Sequence, residues 1–292
     1  MSEKTLFPEL FDIKSLANAV DDSFDDFIIR FSDQLELLSL PLLKFLIGLE
    51  NLMIWIPWYW VIIIFTVLAW FSTQSIKLTS SIALLFFLLG FLGLWEQSMQ
   101  TIALMLAATI NAIVIGIPFG ILMSKSDRLQ NMMLPILDIM QTMPIFVYLI
   151  PFVMLFGVGK VPALLATLVF SLPPLIRLTN LGIRHVSNDV KEAATAYGAT
   201  GFQKLHTAEI PLALPTIMAG INQTTMMSLS MVVIASMIGA GGLGYQVLQG
   251  IQRLELSRGL FAGLAIVFLA IIFDRIVQGY GKRIQQHLQL GE

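Results

Sequence analysis

The residues best placed to do chemistry lie between Arg177 and Pro215, where a strongly apolar chain turns polar for nearly forty residues. Asp189 stands three residues before Glu192, the spacing at which an N-cap side chain and an acid satisfy each other's helix-start amides. Thr200 and Gln203 repeat that spacing. Two short helices are therefore expected, with Gly198 supplying the left-handed turn between them. Ala193, Ala194, Ala196 and Ala199 keep the surface low enough for another protein's groove to approach closely, and Pro211 and Pro215 stiffen the entry into the next span. This is docking chemistry rather than catalysis, because the elbow offers shape and not a nucleophile or an acid–base pair. On composition alone, an ordinary connection between two membrane spans is the competing reading.

Other candidates sit inside apolar stretches. Asp138 is the one acid well within an expected span; such groups are costly and either functional or held by a partner, here Arg177 or backbone. Pro144 and Pro151 remove helix hydrogen bonds in the same stretch, so freed carbonyls must find neighbours or line a wet cavity. Asn222, Gln223, Thr224, Thr225, Ser228 and Ser230 form a polar stripe that either glues helices or lines a path, while nearby Met226, Met227 and Met231 read as packing. Gly239-Ala-Gly241-Gly-Leu-Gly244 matches a dinucleotide fingerprint in letters, but it follows a membrane helix rather than a buried strand, so a tight outer turn is expected. No G-x-x-x-x-G-K-[ST] run occurs, which leaves ATP to another chain. His185, His206 and His287 lack ligand spacing, and there is no cysteine, so no metal or thiol site is expected.

These residues must be positioned by membrane helices. Hydrophobic residues are 57% of the 292 positions, charged ones only 12%, and mean hydropathy is +0.82, which excludes a soluble domain. Apolar runs predict seven spans: Leu52–Phe71, Leu78–Trp95, Gln97–Met123, Leu129–Phe156, Val161–Ile176, Thr216–Ile238 and Gly259–Val277. With the 177–215 stretch inside, ten basic residues fall in inner connections and three (Lys160, Arg253 and Arg258) in outer ones, so that stretch is read as cytoplasmic. An odd number of spans then places the N-terminus outside and the C-terminus in the cytoplasm. Ten of the 19 acids lie in the first 50 residues, and Leu16, Val20, Phe24, Phe27, Phe31, Leu35 and Leu38 recur at helical spacing there. The expected organisation is an acidic extracytoplasmic tail with an amphipathic helix (1–50), peripheral transmembrane helices (51–95), a core (96–285) containing the cytoplasmic loop 177–215, and a cytoplasmic tail (286–292). The N-terminus has no basic, apolar secretory signal.

Glu192-Ala193-Ala194, three residues, Gly198 and then Ile210-Pro211 resembles the EAA signature of permease subunits of ABC importers. The usual Ile-x-Leu-Pro ending reads Ala208-Glu209-Ile210-Pro211 here, so the glycine and proline spacing is kept and two apolar positions deviate. Leu137–Pro151, Leu172–Thr179, Pro215–Thr224 and Leu229–Gly244 further resemble permeases of glycine betaine/proline betaine importers, over roughly residues 50–285. That resemblance implies an all-α polytopic membrane protein with a type I ABC importer permease fold in a bacterial inner membrane. It implies a coupling helix at Glu192, Ala193, Ala194, Tyr197, Gly198, Ala199, Thr200 and Gly201, docking on a cytoplasmic ATPase. Gln141, Thr142, Pro144, Tyr148, Asn222, Gln223 and Ser230 become candidates for the translocation pathway, with Gly241, Gly242 and Gly244 at an outer gate. Implied partners are a second permease copy, two ATPase subunits carrying ATP and magnesium, an extracytoplasmic substrate-binding protein and the lipid bilayer, with no nucleic acid. The implied solute is glycine betaine, proline betaine or a related quaternary ammonium; choline, carnitine or trimethylamine N-oxide are alternatives, as is a secondary transporter working without ATP.

Overall fold

The computed structural model describes residues 13–289, and every regular element among them is a helix. Packing divides the chain into two compact units, 1–41 and 42–292. In the first, helix α1 (Ile13–Trp55) begins, and the apolar positions expected at helical spacing are exposed at Leu16, Val20, Phe27 and Phe31. The Phe27 and Phe31 rings lie 4.9 Å apart, one turn from each other. The side chain of His287 and those of the expected tail 286–292 lie outside the described residues.

In the second unit, the end of α1 buries Leu46 and Glu50. Glu50 meets Lys160 at 2.6 Å, an ion pair between positions 110 apart in sequence. α2 (Trp58–Thr73) and α3 (Ile76–Phe91) form a hairpin joined through Gln74 in a left-handed conformation (φ 47°). Each reaches about 24 Å at 1.5 Å per residue, shorter than the ~30 Å of a hydrocarbon core. α4 (Trp95–Lys125), α7 (Lys160–Arg184) and α10 (Ile210–Ala235) are packed together, with α12 (Leu256–Gln289) against α10 and the α2–α3 hairpin. Small residues permit the close approach: a Cβ on Gly120 of α4 would lie 2.6 Å from Thr179 of α7. By length and composition, four helical stretches can each cross a membrane: Trp95–Lys125, Lys160–Arg184, Gly201–Ile238 and Leu256–Gln285. A fifth is a broken pair, α5 (Asp127–Thr142) and α6 (Ile145–Phe156), bent by 97°.

Four expectations about boundaries change. The span expected over Leu52–Phe71 starts within the last turn of α1 and is broken at Pro57, so that α2 begins only at Trp58. The span expected over Leu129–Phe156 is two helices, because Pro144 stops the first while Pro151 is absorbed inside the second. The span expected to end at Ile176 runs on to Arg184 through Pro173 and Pro174, so Arg177 belongs to a membrane helix rather than to a loop. The connection after α10, expected as a tight outer turn, contains a further helix, α11 (Leu243–Gln252).

Candidate functional site

The polar island is almost wholly helical. α8 (Asn188–Ala196) is capped by Ser187, whose hydroxyl accepts from the Val190 amide at 3.3 Å. The cap expected at Asp189 therefore moves two residues upstream, and Asp189 sits in the first turn, where its charge still favours the helix N-terminus. The helix ends in a left-handed residue, Gly198 (φ +81°), with Gly198 N–H donating to Thr195 and Ala199 N–H to Ala194. That pair of bonds is a Schellman closure, and the positive φ is why glycine stands there. Thr200 then caps α9 (Gly201–Lys204) with both bonds of the expected box: Gln203 N–H to the Thr200 hydroxyl, and Thr200 N–H to the Gln203 amide oxygen at 2.8 Å.

From Gly201 the chain does not turn again. α9 passes through a π turn (Leu205–Glu209) into α10, and helix continues from Gly201 to Ile238 over 38 residues. The Ile210 amide reaches back five residues to Leu205. Glu209, at the unconstrained position of the importer signature between the two that deviate, is 2% exposed and forms an ion pair with Lys125 at the end of α4. In the sequence Glu209 falls on a position the signature leaves free; a lone acid beside Pro211 at the start of an apolar run is the available signal. A second tie lies alongside. Arg184 holds Asp127 at 2.6 Å, Asn180 at 3.1 Å and the Met123 carbonyl at 3.2 Å, fixing the ends of α4 and α7 to the start of α5.

The elbow itself covers nothing. No residue of α8 is buried, Tyr197 is 94% exposed and Phe202 70%, its ring stacked on His206 at 4.4 Å. Two exposed aromatics thus stand on an elbow capped at both of its helices.

The intramembrane candidates separate into groups. Asp138 on α5 is paired with Arg177 on α7. Both line a cleft of about 530 Å³ with Gln130, Gln141, Asn180 and Gln223. Asp138, Gln141 and Gln223 thus converge with Arg177 from three helices. Asn222 faces the other way, donating to Asp274 of α12 at 3.3 Å. Thr142 lies at the end of α5, bonded to Ile139, and Pro144 begins α6. Tyr148 is 4% exposed, packs edge-on against Phe170 and gives its hydroxyl to the Met140 carbonyl. That carbonyl is the one orphaned by Pro144, four residues on, so Tyr148 repairs the break. Ser230 is exposed further along α10 and bonds to Met226.

At the opposite end, Gly239, Gly241 and Gly242 all have positive φ, and Gly242 and Leu243 donate their amides to Gln100 and Thr101 of α4, each at 2.9 Å. Gly244 lies in α11, where a Cβ would sit 2.0 Å from the Val233 carbonyl. These glycines follow a helix and a single 3-10 turn, not a strand, so the dinucleotide reading has no support in the geometry.

A family model described as binding-protein-dependent transport system inner membrane component matches residues 112–286. The chain is 44% identical over 280 residues to the glycine betaine/proline betaine transport system permease protein ProW of Escherichia coli (strain K12), covering 96% of this chain and 77% of that one. It is 43% identical over 264 residues to the glycine betaine transport system permease protein OpuAB of Bacillus subtilis (strain 168), covering 90% and 93%. Among solved structures, an inward-facing form of the MetNI methionine ABC transporter aligns with a TM-score of 0.57 at 22% identity, over 66% of this chain and 95% of that chain. At that identity the likeness speaks for the fold.

Proposed function

Because this chain belongs to the family of binding-protein-dependent transport system inner membrane components, we propose that it is the permease of an ATP-driven importer for glycine betaine, proline betaine or a closely related quaternary ammonium osmolyte. The fold is that of a type I importer permease, in a multi-pass protein of the bacterial inner membrane. The single observation that carries the mechanism is the elbow: capped at both helices, turned at Gly198 and presenting Tyr197 and Phe202 bare to solvent.

In this reading the elbow docks on a cytoplasmic ATPase that holds ATP and magnesium, and two copies of the permease enclose the path, with an extracytoplasmic binding protein supplying the solute. The N-terminus lies outside and the C-terminus inside. Closure of the ATPase pair draws two elbows together, and hydrolysis releases them; nucleotide binding selects one of two packings of the membrane helices. The cleft at Asp138, Arg177, Gln141 and Gln223 lies on the path, its ion pair leaving polar groups available without an uncompensated charge. Asn222, tied to Asp274, holds α10 against α12.

The test is uptake of radiolabelled glycine betaine into vesicles carrying this chain with its ATPase and binding protein. Uptake is expected to require ATP at the ATPase face and to be competed by proline betaine more effectively than by choline, carnitine or trimethylamine N-oxide. Uptake that survives ATP depletion on an intact ion gradient would identify a secondary transporter instead.

A further inference from the structure

Far from the elbow, on the same membrane side, the end of α2 and the start of α3 meet α12 around a small pocket of about 170 Å³. Its side follows from connectivity: α3 and α4 are joined by a tight turn, so the start of α3 points to the same side as the end of α4, and Gly281 of α12 lies against Met218 in the first half of α10. Arg275, Lys282 and Arg283 line the pocket, and no acidic residue does. Positions 275, 279, 282 and 283 share one face of a helix. Gly279 at their centre has no room for a side chain, since a Cβ there would lie 2.7 Å from the Ser72 hydroxyl, and α2 is bonded there through Ser72 to the Ile276 carbonyl. The cations are therefore held at a fixed spacing against the end of α2.

Their charge is not cancelled. Among the described residues none of the three forms an ion pair. The nearest carboxylate in sequence, Asp274, does not line the pocket and accepts instead from Asn222 and from Gln278, the latter at 2.5 Å. Arg283 gives one N–H to the Phe71 carbonyl at 2.5 Å, the partly negative end of α2. The positive end of α3 begins beside it, with no side-chain bond from its N-cap Ser75, so the two helix ends offset each other. Three like charges at a low-dielectric boundary repel one another and call for an anion. The volume is well below the ~300 Å³ floor of pockets for drug-sized organic ligands but suits a phosphate group. Its place, where the exposed apolar faces of α2 and α3 end, is the depth of lipid headgroups.

We propose that this pocket binds the phosphate-bearing headgroup of an anionic phospholipid of the cytoplasmic leaflet, with Arg275, Lys282 and Arg283 as its contacts and the acyl chains running along α2 and α3. A phosphate dissolved in the cytoplasm shares the chemistry, so the test separates the two sources. The complete purified transporter is delipidated, then offered phosphatidylglycerol, phosphatidylcholine or inorganic phosphate, and bound lipid is counted by native mass spectrometry. Phosphatidylglycerol is expected to be retained and to raise the thermal unfolding temperature, phosphatidylcholine to do neither, and millimolar inorganic phosphate to displace nothing. Each charge removed should weaken retention about fivefold, so Arg275→Gln/Lys282→Gln/Arg283→Gln should lose roughly a hundredfold. Should that triple variant not assemble, Lys282→Gln alone, at an exposed side chain, should still weaken retention about fivefold. Retention unchanged in these variants, equal retention of phosphatidylcholine, or displacement by inorganic phosphate would each overturn the assignment.

Discussion

Two proline-bearing stretches of this chain meet the same chemical problem and end in opposite ways. At Pro144 the preceding residue, Met143, is extended (φ −62°, ψ 133°), and the helices on either side diverge by 97°. At Pro211 the preceding Ile210 stays helical (φ −64°, ψ −49°), and helix runs on uninterrupted. Each proline deprives a carbonyl of its partner. At the first, a tyrosine hydroxyl from the next helix supplies the missing donor; at the second, the ladder widens by one residue into a π turn. Proline thus forbids a bond but does not dictate a path. What decides the path is where a replacement donor stands. The bend puts Asp138 and Gln141 of α5 beside Arg177 and Gln223, whereas the unbent helix joins the elbow to α10 in one piece.

Experiments can separate these two outcomes, beginning with the largest effect expected. Gly198→Asp places a side chain at φ +81°, about 1–2 kcal/mol unfavourable, and distorts the turn that leads into the unbroken helix. Insertion and ATP hydrolysis should persist while glycine betaine uptake falls at least about tenfold; unchanged uptake would mean that the turn does not drive the helix. Next, Lys125→Met leaves the Glu209 carboxylate buried and alone beside the π turn. A stability loss of roughly 2–4 kcal/mol is expected from thermal unfolding, with most of it recovered in Lys125→Met/Glu209→Leu. Smaller again, Tyr148→Phe should cost about 1–3 kcal/mol by orphaning the Met140 carbonyl. Once Pro144→Ala has restored the backbone donor, the same substitution should cost close to nothing, and equal costs in both backgrounds would show that the tyrosine does not repair the break. The least effect belongs to Pro211→Ala, expected to shift stability by less than ~1 kcal/mol and to leave spin-label distances along α10 unchanged. A measurable kink appearing or vanishing there would erase the contrast.

Much of this architecture is legible in the sequence, for identifiable reasons. Long apolar runs locate the membrane helices, and Thr200 with Gln203 locates a helix start, because both signals are local. Gly198 can be assigned its turn for the same reason. Ser187 is overshadowed by Asp189 since both residue types cap well and spacing alone favours the acid. The end of α7 is misplaced because Arg177 resembles a boundary charge, although its pairing with Asp138, one of the expected alternatives, places both within helices. α11 hides behind glycines that read only as a turn. The Glu209–Lys125 and Glu50–Lys160 pairs join positions 84 and 110 residues apart, beyond the reach of any local pattern.

The helix from Gly201 to Ile238 extends about 57 Å at 1.5 Å per residue. Its far end is followed by the glycine turn pinned to Gln100 and Thr101. A stiff bar fastened at one end swings, and displacement along it grows with distance from the fastening. On the proposed mechanism, each ångström of push at the elbow arrives at Gln223, somewhat past mid-bar, as roughly 0.4 Å. Such a crank trades travel for force, so the ATPase proposed to move the elbow would open the helices around Gln223 in small, firm steps.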